Sequence, residues 1–96
     1  MTVLVTYDVE TTTRAGRRRL RSAAKVCKNY GQRVQFSVFE CSVNEAQYEA
    51  LISKLKKTIK QDTDSLRVYK LRGNREDYLM TFGQDRYVNF DEPLVL

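Results

Sequence analysis

The chain has 96 residues, seventeen of them Lys or Arg against twelve Asp or Glu, for a formal charge of +5, and it has no histidine. That length allows one small domain, and the lack of histidine removes Ser-His-Asp and Cys-His nucleophile systems and imidazole metal sites. No G-x-x-x-x-G-K-S/T, G-x-G-x-x-G or C-x-x-C motif is present, which removes the common phosphate-loop, dinucleotide and dithiol chemistries.

The first element is a strand. Val3, Val5 and Tyr7 alternate with Leu4, Thr6 and Asp8. The run is apolar on both faces for most of its length, which predicts a central strand with Asp8 at its C-terminal edge. The apolar run is far too short for a signal segment or a membrane span. Thr11, Thr12 and Thr13 offer N-cap hydroxyls for a helix reaching about Tyr30. Leu20, Ala23, Ala24, Cys27 and Tyr30 form its apolar stripe, and Gly31 is placed as a left-handed C′ residue. The opposite face carries Arg14, Arg18, Arg21, Lys25 and Lys28, with Arg17 beside them. Arginines in the first turn oppose the helix macrodipole, so local stability does not explain them.

The next stretch, RVQFSVFECSV, is long for one strand and predicts a bend, a bulge or two short strands near Gln35 to Ser37. Asn44 followed by Gln47 is a capping box for a second helix with Tyr48, Leu51, Ile52, Leu55 and Ile59 on its apolar side. Its lysines, Lys54, Lys56, Lys57 and Lys60, suit a helix C-terminus. DSLRVYKL reads as a further strand with Leu66 and Val68 on one face. Past Gly73-Asn74, YLMTF, RYVNF and PLVL are short strand-like pieces, with Pro93 marking an edge strand.

The order predicts an α+β, ferredoxin-like split βαβ plan: two helices on one face of an antiparallel sheet, with a core over 1–72 and a strand-like tail over 73–96. The other sheet face is expected to be open in a monomer and closed by a second copy, with the apolar tail on that copy's sheet edge. Cys27 and Cys41 fall at core positions without a metal spacing. They read as reduced thiols of a cytoplasmic protein with no membrane association.

Charge distribution carries the functional signal. Between Glu10 and Glu40 there is no acid, while Arg14, Arg17, Arg18, Arg19, Arg21, Lys25, Lys28 and Arg33 fall in that interval. Such a face either is solvated or holds an anion such as nucleic acid phosphate. Asp8 reads as a turn or capping carboxylate, or as a hard oxygen ligand for Mg²⁺ or Mn²⁺. One such carboxylate per chain makes a poor site, and two meeting across a dimer axis make an acceptable one. Tyr7 and Phe39 either stack on bases or pack in the core. Ser37 either contacts phosphate or pairs within the bend.

A strand ending in Tyr7-Asp8, an arginine-rich helix ending at Tyr30-Gly31, and then G-x-R-V-Q-x-S-V-F-E together resemble the CRISPR-associated protein 2 family, the small subunit of the spacer-acquisition machinery. The resemblance covers residues 1–72 well and the tail loosely. It implies a ferredoxin-like homodimer whose terminal strand crosses to the partner sheet. It implies that Asp8 is the metal-binding and catalytic aspartate, with Mg²⁺ as the usual ion. Arg17 or Arg18, together with Arg33, match basic neighbours of that site, and Ser37 and Phe39 match its bent-strand positions. The activity implied is a metal-dependent endonuclease on RNA or DNA. The alternative is a non-catalytic bridge that holds DNA between dimers of the CRISPR-associated protein 1 integrase. The loop VETTTRAG is longer than in compact members, so the pairing of Asp8 with any one arginine stays open.

Overall fold

A computed structural model describes residues 1–85 together with Tyr87 and Val88. The elements run β1 (Thr2–Asp8), α1 (Arg14–Lys28), β2 (Gly31–Gln35), β3 (Val38–Ser42), α2 (Glu45–Thr58), β4 (Ser65–Leu71) and a one-turn α3 (Arg75–Tyr78). The four strands form one antiparallel sheet in the order β2-β3-β1-β4, the split βαβ arrangement expected from the pattern. Among the described residues no helix is long and apolar enough to cross a membrane.

Strand alternation divides the side chains between two faces. Val3, Val5 and Tyr7 of β1 pair in register with Cys41 and Phe39 of β3 and with Val68 and Leu66 of β4. These residues meet Ala23, Ala24 and Cys27 of α1 and Leu51 and Leu55 of α2 in one core. Thr2, Leu4 and Thr6 face the other way and are half-buried.

Both helices begin as their sequences dictate. Thr13 caps α1, its hydroxyl accepting from the Gly16 N–H at 3.0 Å, and no acid lies in the first turn. Asn44 and Gln47 close a reciprocal capping box on α2, at 2.8 and 2.9 Å. The expected bend is present: β2 and β3 are joined through Phe36 and Ser37, and the register shifts between Arg33 and Gln35.

Three features depart from the sequence reading. Gly31 does not adopt a left-handed conformation; positive φ is confined, among the described residues, to Gly73 and Gly83. It opens β2, and a Cβ there would lie 2.3 Å from the Glu40 carbonyl oxygen and 2.6 Å from the Cys41 Cα. Glycine is needed for close strand approach, so Gly31→Ala is expected to cost about 1–3 kcal/mol. A lower urea midpoint at unchanged m-value would register it.

Secondly, YLMTF is no strand. Tyr78 ends α3, which Asn74 and Asp77 cap, and Met80 and Phe82 are exposed without strand partners. Thirdly, the second sheet face is partly covered by the chain itself. Arg75 pairs with the buried Glu40 at 3.0 Å and lies 3.7 Å from Asp85, and its guanidinium sits over the Tyr87 ring. Val88 exchanges hydrogen bonds with the Gln32 side chain. Local pattern missed this because the Arg75–Glu40 and Val88–Gln32 contacts join positions 35 and 56 apart. Of the expected strand piece RYVNF, Tyr87 and Val88 are not in a strand, and its other residues, like the expected PLVL edge strand, lie outside the described residues.

Candidate functional site

Asp8 is the last residue of β1, opposite Ser65 of β4. Its neighbours fix its backbone: Tyr7 and Val9 are both in the core. The following loop is tied down as well, because the Glu10 N–H donates to the Asp64 carboxylate at 3.0 Å. Glu10 in turn accepts from the Thr12 N–H at 2.7 Å, and the Thr12 side chain together with that N–H holds its carboxyl below the usual range. Asp8 itself is exposed, and among the described residues its side chain enters no hydrogen bond or ion pair. A turn or capping aspartate would accept from nearby backbone N–H groups. Glu10 and Asp64 do that here, and Asp8 does not. It is a positioned carboxylate with both oxygens unengaged, which suits a hard divalent cation. Among the described residues no group of three or more His, Cys, Asp or Glu side chains could hold a metal ion.

The arginines divide by role. Arg19 is structural: its Nε donates to Asp64 at 2.8 Å, joining α1 to the loop before β4. Arg17 donates to the Thr11 carbonyl at 3.2 Å, across the loop after Asp8. Arg14, Arg17, Arg18 and Arg21 are exposed along α1. Arg33 lies on the core-facing side of β2, its guanidinium 5.1 Å from the Phe39 ring centre. Arg18, Arg21 and Arg33 line a cleft of about 660 Å³ between α1 and the β2–β3 turn, with Tyr7 and Ser37 also on its wall. Asp8 does not line it. Tyr7 faces the helices and Asp8, one residue on, faces the other side of the sheet. Among the described residues no ion pair joins Asp8 to an arginine. Carboxylate and cleft thus share one end of the sheet, where the Tyr7 N–H donates to the Ser37 carbonyl at 3.1 Å, on opposite faces.

Of the aromatic candidates, Phe39 is fully buried and Tyr7 is 5% exposed, their rings stacked 6.3 Å apart. Packing accounts for both. Among the described residues the buried Tyr7 hydroxyl makes no hydrogen bond within the geometric limits, and burial raises its pKa despite Arg33 and Ser37 nearby. Cys27 and Cys41 are free thiols, pushed up to about 12 and about 11 chiefly by burial, so neither acts as a nucleophile at neutral pH. The α2 lysines have partly structural work: Lys54 donates to the Tyr30 hydroxyl at 2.9 Å. Phe36 escaped the sequence reading. It is 93% exposed on the rim of the cleft, and the one available signal was its place in the predicted bend.

Fold and site together define a small ferredoxin-like α+β protein with a free carboxylate at a strand end and a basic flank beside it. The chain belongs to the family described as CRISPR associated protein Cas2, whose profile matches residues 1–78. It is 54% identical over 96 residues to a protein of Moorella thermoacetica named CRISPR-associated endoribonuclease Cas2 1, covering all of both chains. It is 44% identical over 95 residues to a Halalkalibacterium halodurans protein named CRISPR-associated endonuclease Cas2, covering 99% of each. The crystal structure of Streptococcus pyogenes Cas2 at pH 6.5 superposes with a TM-score of 0.78 at 53% identity, over 86% of this chain and 100% of that one.

Proposed function

We propose that this chain is a CRISPR adaptation protein that cleaves RNA or DNA with the help of a divalent ion and works as a homodimer. The observation that carries the reading is Asp8: a carboxylate fixed by two buried neighbours and without a hydrogen bond or ion pair among the described residues. The relatives' names, endoribonuclease and endonuclease, support the reaction class. Asp8 of each of two copies would hold Mg²⁺, or Mn²⁺, together with phosphate oxygens. Such an ion supplies charge that offsets the developing phosphoryl charge and lowers the pKa of water. The remaining work falls to the protein. β1 holds the carboxylate still, and Arg17, Arg18 and Arg33 bind and orient phosphates. The half-buried second sheet face, with Leu4, Thr6 and the exposed Tyr69, is the surface a second copy would cover.

A second reading, an architectural dimer bridging CRISPR-associated protein 1 integrase subunits, is favoured by one observation: the basic cleft and Asp8 lie on opposite faces of the sheet. In that role Arg14, Arg17, Arg18 and Arg21, helped by Lys56, Lys57 and Lys60, track phosphates and Asp8 is idle. Two free, buried thiols suit a cytoplasmic setting for either role.

Both readings predict that log K for duplex DNA falls by about 0.9 per neutralised phosphate for each unit of log salt. Replacing Arg14, Arg17, Arg18 and Arg21 by alanine should weaken binding and flatten that slope by about 0.9 for each phosphate no longer neutralised. Salt-titrated fluorescence anisotropy reads it. An unchanged affinity and slope would remove α1 from the nucleic-acid surface. Cleavage that needs both Asp8 and a divalent ion separates the nuclease from the scaffold.

A further inference from the structure

We propose that the cleft between α1 and the β2–β3 turn binds single-stranded nucleic acid, with one base stacked on Phe36 and the adjoining phosphates held by α1 and Arg33. The inference rests on the nucleic-acid reading above and names a strand form and a site within it.

Two sets of groups converge there. One wall carries Arg18, Arg21, Lys25 and Lys28 from α1, and Arg33 faces them from β2. No acid lines the cleft, and none of these five cations forms an ion pair among the described residues. Five unneutralised cations around one cavity repel each other and favour a multivalent anion. The other group is Phe36. Its ring is 93% exposed at the turn, where a polar residue would serve the backbone equally well. An aromatic platform beside a cationic track is the combination that binds single strands, since every base has a stacking face. In a duplex the bases are already stacked and the ring has nothing to receive.

The cleft also offers a buried polar group. Tyr7 is 5% exposed and lines the cleft, and among the described residues its hydroxyl makes no hydrogen bond within the geometric limits, with Arg33 and Ser37 nearby. A phenol is protonated at neutral pH and so can donate. A phosphate or base oxygen reaching the floor would satisfy it. At about 660 Å³ the cleft lies within the size range of small-ligand sites. The strongly basic wall argues against an apolar protein segment as the occupant.

The chain has no tryptophan, so Phe36→Trp introduces a single reporter at the site. With chelator present to prevent cleavage, a twelve-nucleotide single strand should quench that fluorescence saturably, and a blunt duplex should bind with little quenching. By anisotropy, Phe36→Ala should weaken single-strand binding about tenfold or more and leave duplex binding within twofold. Phe36→Leu should not restore it. Undiminished single-strand binding by Phe36→Ala, an equal loss for both forms, or binding to Phe36→Trp without quenching would overturn the proposal while leaving the nuclease reading intact. If wild type binds neither form, the nucleic-acid reading itself falls and this inference falls with it.

Discussion

Asp8→Ala is expected to fold, to bind nucleic acid as tightly as the wild type or slightly more tightly, and to lose about 10³-fold or more in cleavage rate. The first half follows from the geometry. Asp8 is exposed and unengaged among the described residues, so its removal orphans no donor there and opens no cavity. Substitutions of that kind change stability by about 0.5 kcal/mol or less. Losing a negative charge near a bound polyanion also favours binding. The second half follows from the proposed chemistry. If two such carboxylates hold the ion, their loss removes several kcal/mol of transition-state stabilisation, and each 1.36 kcal/mol is about tenfold in rate. Single-turnover cleavage alongside anisotropy on the same samples separates the two halves. Asp8→Asn keeps the shape and should fare little better, because a neutral amide is a poor ligand for Mg²⁺.

The largest stability effect is expected away from that site, at Asp64. Its buried carboxylate accepts from Arg19 Nε at 2.8 Å, the Lys60 N–H at 2.9 Å, the Glu10 N–H at 3.0 Å and the Thr63 hydroxyl at 3.2 Å. One side chain thus joins α1, the loop after Asp8 and the loop before β4. Asp64→Ala leaves a guanidinium and two backbone donors without partners. The cost should be about 3 kcal/mol, or a Tm lowered by about 10–20 °C for a domain of this size. Arg19 holds the Asp64 carboxyl well below the usual carboxylate range, against burial and with help from the Lys60 and Glu10 N–H groups and Thr63. A carboxyl whose folded pKa is depressed stabilises the fold fully above its unfolded pKa of about 4. That contribution is lost as pH falls from there toward the folded value. The gap between wild type and Asp64→Ala should therefore be constant from neutral pH to about 5 and narrow below 4. Thermal melts across that range would show it, and a gap independent of pH would contradict the ionic account.

The fold was legible wherever the information is local. The strand running into Asp8, the Asn44–Gln47 box, the two apolar helix stripes and the break at Phe36-Ser37 each follow from neighbours a few residues apart. What the sequence did not display depends on long separations. Nothing local marks Asp64, whose partners Arg19 and Glu10 lie 45 and 54 residues away. Gly31 looked like a helix terminator because its true constraint, the Glu40 and Cys41 backbone, belongs to another strand. At the site, charge pattern picked out the arginines and strand alternation already set Tyr7 and Asp8 on opposite faces, but neither showed that Arg18, Arg21 and Arg33 gather on the Tyr7 side. Phe36 fell within the expected bend near Gln35 to Ser37, and nothing local showed which way its ring would point. The register shift between Arg33 and Gln35 turns it out of the sheet.

The most direct test of the account is cleavage of labelled RNA and DNA by the wild-type protein, with Mg²⁺ and with chelator, recording binding in the same tubes. Cleavage in Mg²⁺ alone, with binding in both conditions, is the predicted result. Binding without cleavage in either condition would contradict the nuclease and leave a protein that holds nucleic acid for another enzyme to process.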